Sequence, residues 1–223
     1  MNNTALITGT SRGLGLHLAN TLLADGWNVI GLSRSCTITH TNYFHYNVDI
    51  GNNEQLLNVF KTLKGTKLEL LVNNAAIFTN SAFDKSSFND IKSVIDTNVI
   101  GTMLVTQYSL ELLINGSKII FMNSVAGLND LRGQSIYCAS KHAIKSFAGV
   151  LGQELRSKRI RVSSIHPGGM NTTLWNSNNP YPGGDVEDAM TTLQVVDVIK
   201  MIIDCNHNID FKTVTMFPLI EWH

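Results

Sequence analysis

Thr4-Ala5-Leu6-Ile7-Thr8-Gly9-Thr10-Ser11-Arg12-Gly13-Leu14-Gly15 decides the fold. A short apolar run, strand-like in composition, empties into three glycines spaced G-x-x-x-G-x-G and then into a helical pattern. Gly9 takes the tight turn that leaves the strand. Gly13 lets backbone approach a phosphate with no Cβ in the way, and Gly15 allows the helix to pack closely on the sheet. The helix start offers free N–H groups and the positive end of a dipole to a pyrophosphate. The spacing differs from the G-x-G-x-x-G dinucleotide fingerprint, and no G-K-[S/T] follows, so this is not a P-loop. A turn that merely uses glycines is the bland alternative. The position, between the first strand and the first helix, favours a nucleotide site.

Working outward, strand-like runs recur at Asn28–Ser33, Tyr43–Val48, Leu68–Val72, Lys118–Asn123, Arg161–Ile165 and Thr213–Pro218. Several are apolar almost throughout, as in strands covered on both faces. Helical patterns lie between them near Gly13–Asp25, Asn53–Leu63, Phe88–Leu113, Ser135–Ser157 and Val186–Asp204, with Gly26 and Gly116 as candidate stops. Strand and helix in alternation predict an α/β, Rossmann-like doubly wound sheet of about seven mainly parallel strands with helices on both faces. That accounts for residues 1–223 as one dinucleotide-binding and catalytic domain. The Asn-, Pro- and Gly-rich stretch 172–185 reads as a loop at the carboxyl ends of the strands, where such sheets bind ligands.

The 223 residues are 43% hydrophobic and only 15% charged, which excludes a charge-driven disordered chain. Lys+Arg and Asp+Glu are both 17. Zero net charge gives no electrostatic sign of a nucleic acid or an anionic membrane. Cys36, Cys138 and Cys205 make neither a disulfide framework nor a zinc pattern. No H-E-x-x-H or Cys/His cluster appears, so no metal is expected, and His166 reads as structural. No signal-like leader and no membrane-length apolar run is present, so the expected location is cytoplasmic.

Tyr137 and Lys141 are four residues apart and share one face of a helix. An ammonium beside a phenol favours the phenolate and is expected to lower its pKa from about 10. Such a tyrosine can give a proton to a carbonyl oxygen or take one from an alcohol. Ser124, at the end of the fifth strand, can hydrogen-bond the same oxygen. A hydride has to come from a nicotinamide, because no side chain supplies one. Taken singly, a Tyr–Lys pair at this spacing is usually a solvated surface contact, a serine at a strand end is usually a cap, and Asn98 could simply satisfy a kinked helix.

The set and its order change that reading. Thr8–Gly15, Asn73-Asn74-Ala75-Ala76, Asn98-Val99-Ile100-Gly101, Asn123-Ser124-Val125-Ala126-Gly127, Tyr137-Cys138-Ala139-Ser140-Lys141 and Pro167-Gly168-Gly169-Met170-Asn171-Thr172 together resemble the single-domain branch of the short-chain dehydrogenase/reductase family. The resemblance runs from Thr4 to about Thr172. It implies catalytic roles for Asn98, Ser124, Tyr137 and Lys141, with Lys141 also holding the nicotinamide ribose and Asn98 anchoring a water in a proton relay. It implies cofactor contacts from Gly9, Ser11, Arg12, Gly13, Leu14, Gly15, Asn74, Ala75, Pro167, Gly168 and Thr172. Asp49 resembles the residue that meets adenine. Ala76 departs from the family's usual NNAG, which would cost about 1 kcal/mol if that backbone needed a positive φ.

No acid stands at the end of the second strand, where NAD binders place one against the ribose hydroxyl. Arg34 stands there instead, and with Arg12 it could clamp a 2′-phosphate, so NADP(H) is expected over NAD(H). The function expected is reversible reduction of a carbonyl to an alcohol on a small-molecule substrate. Met170, Trp175 and Tyr181 are candidate walls for that substrate. The resemblance also implies a homodimer or homotetramer, to which the apolar face Ala143, Ile144, Phe147, Ala148 and Leu151 could contribute. The rival readings are a non-catalytic NADP(H)-sensing protein of the same fold, a sugar-nucleotide epimerase or dehydratase, for whose substrate domain no residues remain, and a methyltransferase, which leaves Y-x-x-x-K unexplained.

Overall fold

The computed structural model describes residues 2–172, 175 and 185–219. Seven strands form one sheet: β1 (Thr4–Thr8), β2 (Asn28–Ser33), β3 (Tyr43–Asn47), β4 (Leu68–Asn73), β5 (Leu113–Met122), β6 (Arg161–Pro167) and β9 (Thr213–Met216). Their order is β3-β2-β1-β4-β5-β6-β9, and every neighbouring pair is parallel. Two further two-residue strands, β7 (Met170–Asn171) and β8 (Met190–Thr191), pair with each other beside the sheet. The sequence gives no period-2 signal over two residues, so this pair was not legible there.

Alternation in each strand feeds two cores. Leu6, Leu71, Ile119, Phe121 and Val162 face one side, where α2 (Asn53–Thr62), α4 (Thr102–Ser109) and α5 (Ser135–Glu154) supply Leu56, Val105, Ile144, Ala148 and Leu151. Ala5, Ile7, Leu70, Val72, Ile120 and Ile165 face the other, against Leu18 and Leu22 of α1 (Gly13–Ala24) and Val195, Ile199 and Ile202 of α6 (Thr192–Asp204). Both faces are covered, which is why residues 5–7 of β1 and 119–122 of β5 read as unbroken hydrophobic runs.

Three helix boundaries depart from the expected ones. The predicted Phe88–Leu113 helix is α3 (Phe88–Ile95), a π-helical stretch Asp96–Gly101 and then α4, while Leu113 already belongs to β5. Side-chain bonds made by Asn98 accompany the π-helical stretch, and no periodicity in the sequence reports them. Gly116 therefore lies inside β5 and stops no helix. The predicted Val186–Asp204 helix starts only at Thr192, behind a capping box in which Thr191 accepts from the Gln194 N–H. Gly26 does end α1, with the Trp27 N–H bonded back to the Leu22 carbonyl at 2.9 Å.

Strand order reverses between β1 and β4, which opens a crevice at their carboxyl ends. The glycine loop leaves β1 there and Asn74-Ala75 leaves β4. The two are laced together. The Thr8 hydroxyl accepts from the N–H groups of both Asn74 and Ala75 at 2.9 Å. The Asn74 amide donates to the Thr8 carbonyl at 2.9 Å and the Gly9 carbonyl at 3.2 Å.

Candidate active site

One cleft runs along this crevice. Its wall includes Gly9, Ser11, Arg12, Gly13 and Leu14 from the glycine loop, Arg34 and Asp49 beyond β2 and β3, Asn74 and Ala75 beyond β4, Tyr137 and Lys141 from α5, and Met170 and Thr172 after β6. Residues from six separated segments of sequence thus share one surface. Gly15, Asn98, Ser124, Pro167 and Gly168 do not line it. Gly15 is buried beneath the loop, and the Gly168 N–H is spent on the Met216 carbonyl at 2.8 Å. Tyr181, Trp222 and most of the 172–185 loop lie outside the described residues.

The glycine loop has the shape a dinucleotide phosphate needs. Gly13 has φ +58°, and a Cβ placed on it would project into open space, with nothing within 4 Å. The loop therefore keeps a bare backbone beside the cleft, directly ahead of the α1 N-terminus. Arg12 and Arg34 are both exposed on the same cleft, and among the described residues the one acid that lines it is Asp49, whose Oδ1 already accepts from the Gly51 N–H at 2.9 Å. Arg159 is the only non-glycine residue with positive φ among those described, so Ala76 carries no backbone strain.

At the other end, Lys141 is 4% exposed and its ammonium donates to the Met122 carbonyl at 2.9 Å. That bond fixes its position beside Tyr137, whose ring centroid is 5.5 Å from Nζ. The expected direction of the tyrosine's acidity is reversed. Burial pushes the Tyr137 hydroxyl up to about 12, with a hydrogen bond from Ser124 pulling it part of the way back. Burial also lowers Lys141, to about 8. Desolvation, which spacing alone does not reveal, outweighs the attraction between the pair.

Ser124 is held by its neighbours. Its Oγ accepts from the Ala126 N–H at 3.1 Å, and its own N–H donates to Asn123 Oδ1 at 3.0 Å. The Asn123 amide donates to the Lys141 carbonyl at 3.1 Å, so the end of β5 is bonded to α5 beside both Tyr137 and Lys141. His166 is fully buried between the Ser124 carbonyl, 3.0 Å from Nδ1, and Ser164 Oγ, 2.9 Å from Nε2. A carbonyl only accepts, so Nδ1 carries the ring proton. Burial lowers the pKa of this ring, which keeps it neutral. Its role is to brace Ser124 from behind. Asn98 spends its amide on protein partners: it donates to the Ile77 carbonyl at 2.8 Å and to Ser140 Oγ at 3.1 Å, and accepts from the Ile77 N–H at 2.7 Å.

Four residues escaped sequence reasoning: Thr8, Asn123, His166 as a brace, and Phe78. The first two are polar residues at strand ends, the position that signals a ligand-facing edge. Phe78 follows the Asn74-Ala75 segment and lines the cleft with its ring edge-on to Tyr137, at 4.9 Å between centroids. Among the described residues, no helix is long and apolar enough to cross a membrane and no group of three or more His, Cys, Asp or Glu is placed to hold a metal.

Comparison with known proteins agrees with this geometry. The family model described as short chain dehydrogenase matches residues 3–182. Carbonyl reductase family member 4 of Danio rerio is 29% identical over 185 residues, 78% of each chain. A probable NADP-dependent dehydrogenase of Haemophilus influenzae is 29% identical over 217 residues, 90% of this chain and 86% of that one. In structure, the closed form of serine dehydrogenase complexed with NADP+ superposes with a TM-score of 0.87 at 24% identity, covering 99% of this chain and 96% of the other. That last likeness is one of fold.

Proposed function

This chain belongs to the short-chain dehydrogenase/reductase family and is an NAD(P)-dependent oxidoreductase, and from that premise we propose that it reduces a carbonyl to an alcohol with NADPH. The observation that carries the reading is a single cleft whose wall holds a bare-backbone glycine loop and two arginines at one end and Tyr137 with Lys141 at the other. When bound, NADPH supplies the hydride that no side chain can. Gly9, Ser11, Arg12, Gly13, Leu14, Asn74 and Ala75 hold its phosphates and riboses, and Thr172 its nicotinamide end.

The chain's own residues manage the proton. With its hydroxyl pushed up to about 12, Tyr137 stays protonated at neutral pH, the state a proton donor to a carbonyl oxygen needs. Ser124 turns its single hydroxyl proton from Tyr137 to the same substrate oxygen. Lys141, anchored on Met122, holds the ribose and presents a positive charge to the tyrosinate that proton transfer leaves behind. Asn98 is a positioning residue, tying the Ile77 backbone to α5 through Ser140. The test is loss of NADPH absorbance across a panel of ketones, aldehydes, quinones and 3-oxoacyl thioesters. Turnover of any of them supports the reading, whereas tight NADPH binding with no turnover favours the sensing protein instead.

NADPH is preferred over NADH in this reading: Arg12 and Arg34 line the glycine-loop end of the cleft, where they would meet a 2′-phosphate, and no carboxylate stands at the end of β2. Arg34→Asp should lower kcat/KM for NADPH by about ten- to a hundredfold, the effect of losing one charge-assisted contact and adding a repulsive one, and narrow or reverse the preference. Equal kcat/KM for the two cofactors in the wild-type protein counts against this assignment.

Assembly into a homodimer or homotetramer completes the reading. Ile100 beside Asn98 and Val150 on α5 are 46% and 51% exposed, apolar side chains left in water by the lone chain. Light scattering at micromolar concentration should return two or four chains per particle. A mass of one chain removes the proposal.

A further inference from the structure

We infer that the reacting end of the cleft selects an uncharged carbonyl compound bearing an apolar or aryl substituent, and that Phe78 sets this preference. The inference rests on the carbonyl-reductase reading above. Phe78 stands between two aromatic rings. Tyr137 meets it edge-on at 4.9 Å and 79°, and Trp175 at 5.4 Å and 74°. The position is fixed from both sides. Ile77, the preceding residue, is bonded through both N–H and carbonyl to Asn98, and the Trp175 indole N–H donates to the Met170 carbonyl at 2.8 Å. An apolar ring is thus held against the ring of the proton donor on the cleft wall, beside the place a carbonyl that takes its proton would put a substituent.

Charge is distributed unevenly along the same cleft. Arg12, Arg34 and Asp49 belong to the glycine-loop end, and Lys141 already donates to Met122. Ile77, Phe78, Met122, Met170 and Thr172, which line the same cleft, are all uncharged. Among the described residues a carboxylate or phosphate on the substrate would find no cation here except Lys141, which already donates to Met122, whereas a neutral substituent loses nothing and gains contact with Phe78.

Acetophenone and 4-acetylbenzoate separate these cases, since they differ by one carboxylate on the same frame. Wild-type kcat/KM should favour the neutral ketone by about tenfold or more, the discrimination expected when a charge is desolvated without a partner. Phe78→Ala should lower the acetophenone-to-acetone ratio of kcat/KM by about tenfold, the usual discrimination carried by an apolar contact, with Phe78→Leu recovering part of it. A second readout needs no turnover: quenching of Trp175 fluorescence in the NADP+ complex, with Trp175→Phe to identify the signal. Acetophenone should quench at lower concentration than 4-acetylbenzoate. Preference for the carboxylate, or an acetophenone-to-acetone ratio unmoved by Phe78→Ala, overturns the inference. Quenching by acetophenone at lower concentration than by 4-acetylbenzoate, with no turnover of any carbonyl in the panel above, sinks the reductase reading and upholds the selectivity. Absence of both turnover and quenching sinks the selectivity as well.

Discussion

Phenylalanine in place of Tyr137 should reduce kcat for carbonyl reduction by about 10³-fold, within the 10² to 10⁴ that a positioned general acid contributes. The ring, its edge contact with Phe78 and its place over Lys141 survive the change, because none of them uses the hydroxyl. Only the proton donor and the bond to Ser124 are lost. NADPH affinity, measured by fluorescence titration, should therefore move far less than kcat. A variant that turns over at the wild-type rate would show that another group, or solvent, gives the proton. The pH profile adds an independent check. A tyrosine raised to about 12 stays protonated through the accessible alkaline range, so it should impose no falling limb there. Lys141, lowered to about 8, loses its charge first, and activity should decline as pH rises through that region. Lys141→Arg keeps its charge to far higher pH and should remove the decline, at whatever level of activity remains. The same shift has a sign in stability. Lys141 binds its proton less tightly folded than unfolded, so its burial weighs against folding most fully below pH 8. That burden is relieved as pH climbs from about 8 through the ordinary lysine range.

Strands were the most legible part of this molecule, and the reason lies in their burial. All seven strands of the large sheet appear where strand-like runs predicted them: residues 5–7 of β1 and 119–122 of β5 are covered on both sides and are apolar, while β6 buries Ser163, Ser164 and His166 and pairs Ser164 with His166 by a hydrogen bond. The helix carrying Asn98 was less legible. Its π-helical stretch goes with bonds to Ile77 and Ser140, residues 21 and 42 positions away, and no local pattern contains that distance. The candidate site divides in the same way. Spacing predicted that Tyr137 and Lys141 share a face, and they do. It gave the wrong direction for the tyrosine's acidity, since spacing reports neighbours and not the amount of protein over them. Phe78 carried no chemical signal in the sequence. It matters only because the end of β4 delivers it to Tyr137. Asn98 and Gly15, motif residues that do not line the cleft, act through packing and hydrogen bonds, so their types are constrained all the same.

Gly15 supports the second large prediction. A Cβ added there would lie 2.2 Å from the Gly9 carbonyl oxygen and 2.5 Å from the Asn74 amide nitrogen. Neither neighbour can yield cheaply. The Gly9 carbonyl belongs to the turn leaving β1, and the Asn74 amide is bonded to both the Thr8 and Gly9 carbonyls. Gly15→Ala should therefore force the whole loop outward, with a loss of stability of about 1–3 kcal/mol, as for an overpacked core. Moving the loop also withdraws its N–H groups from a bound phosphate. Losing two charge-assisted hydrogen bonds, each worth about 1.5–3 kcal/mol, should raise the NADPH Kd by roughly a hundredfold or more. Gly13→Ala provides the contrast. No atom lies within 4 Å of the added methyl, so the fold should lose only about 1–2 kcal/mol for a non-glycine residue at φ +58°. That methyl projects from the cleft wall, so NADPH binding should still weaken while Asn74 stays bonded to the loop. Hydrogen exchange separates the two mechanisms. Protection of the Asn74 and Ala75 N–H groups, both held by Thr8, should fall in Gly15→Ala and persist in Gly13→Ala. If Gly15→Ala binds NADPH within about threefold of wild type, a change of less than 1 kcal/mol, the loop is not held by this contact, and the glycine spacing serves only the turn from strand to helix.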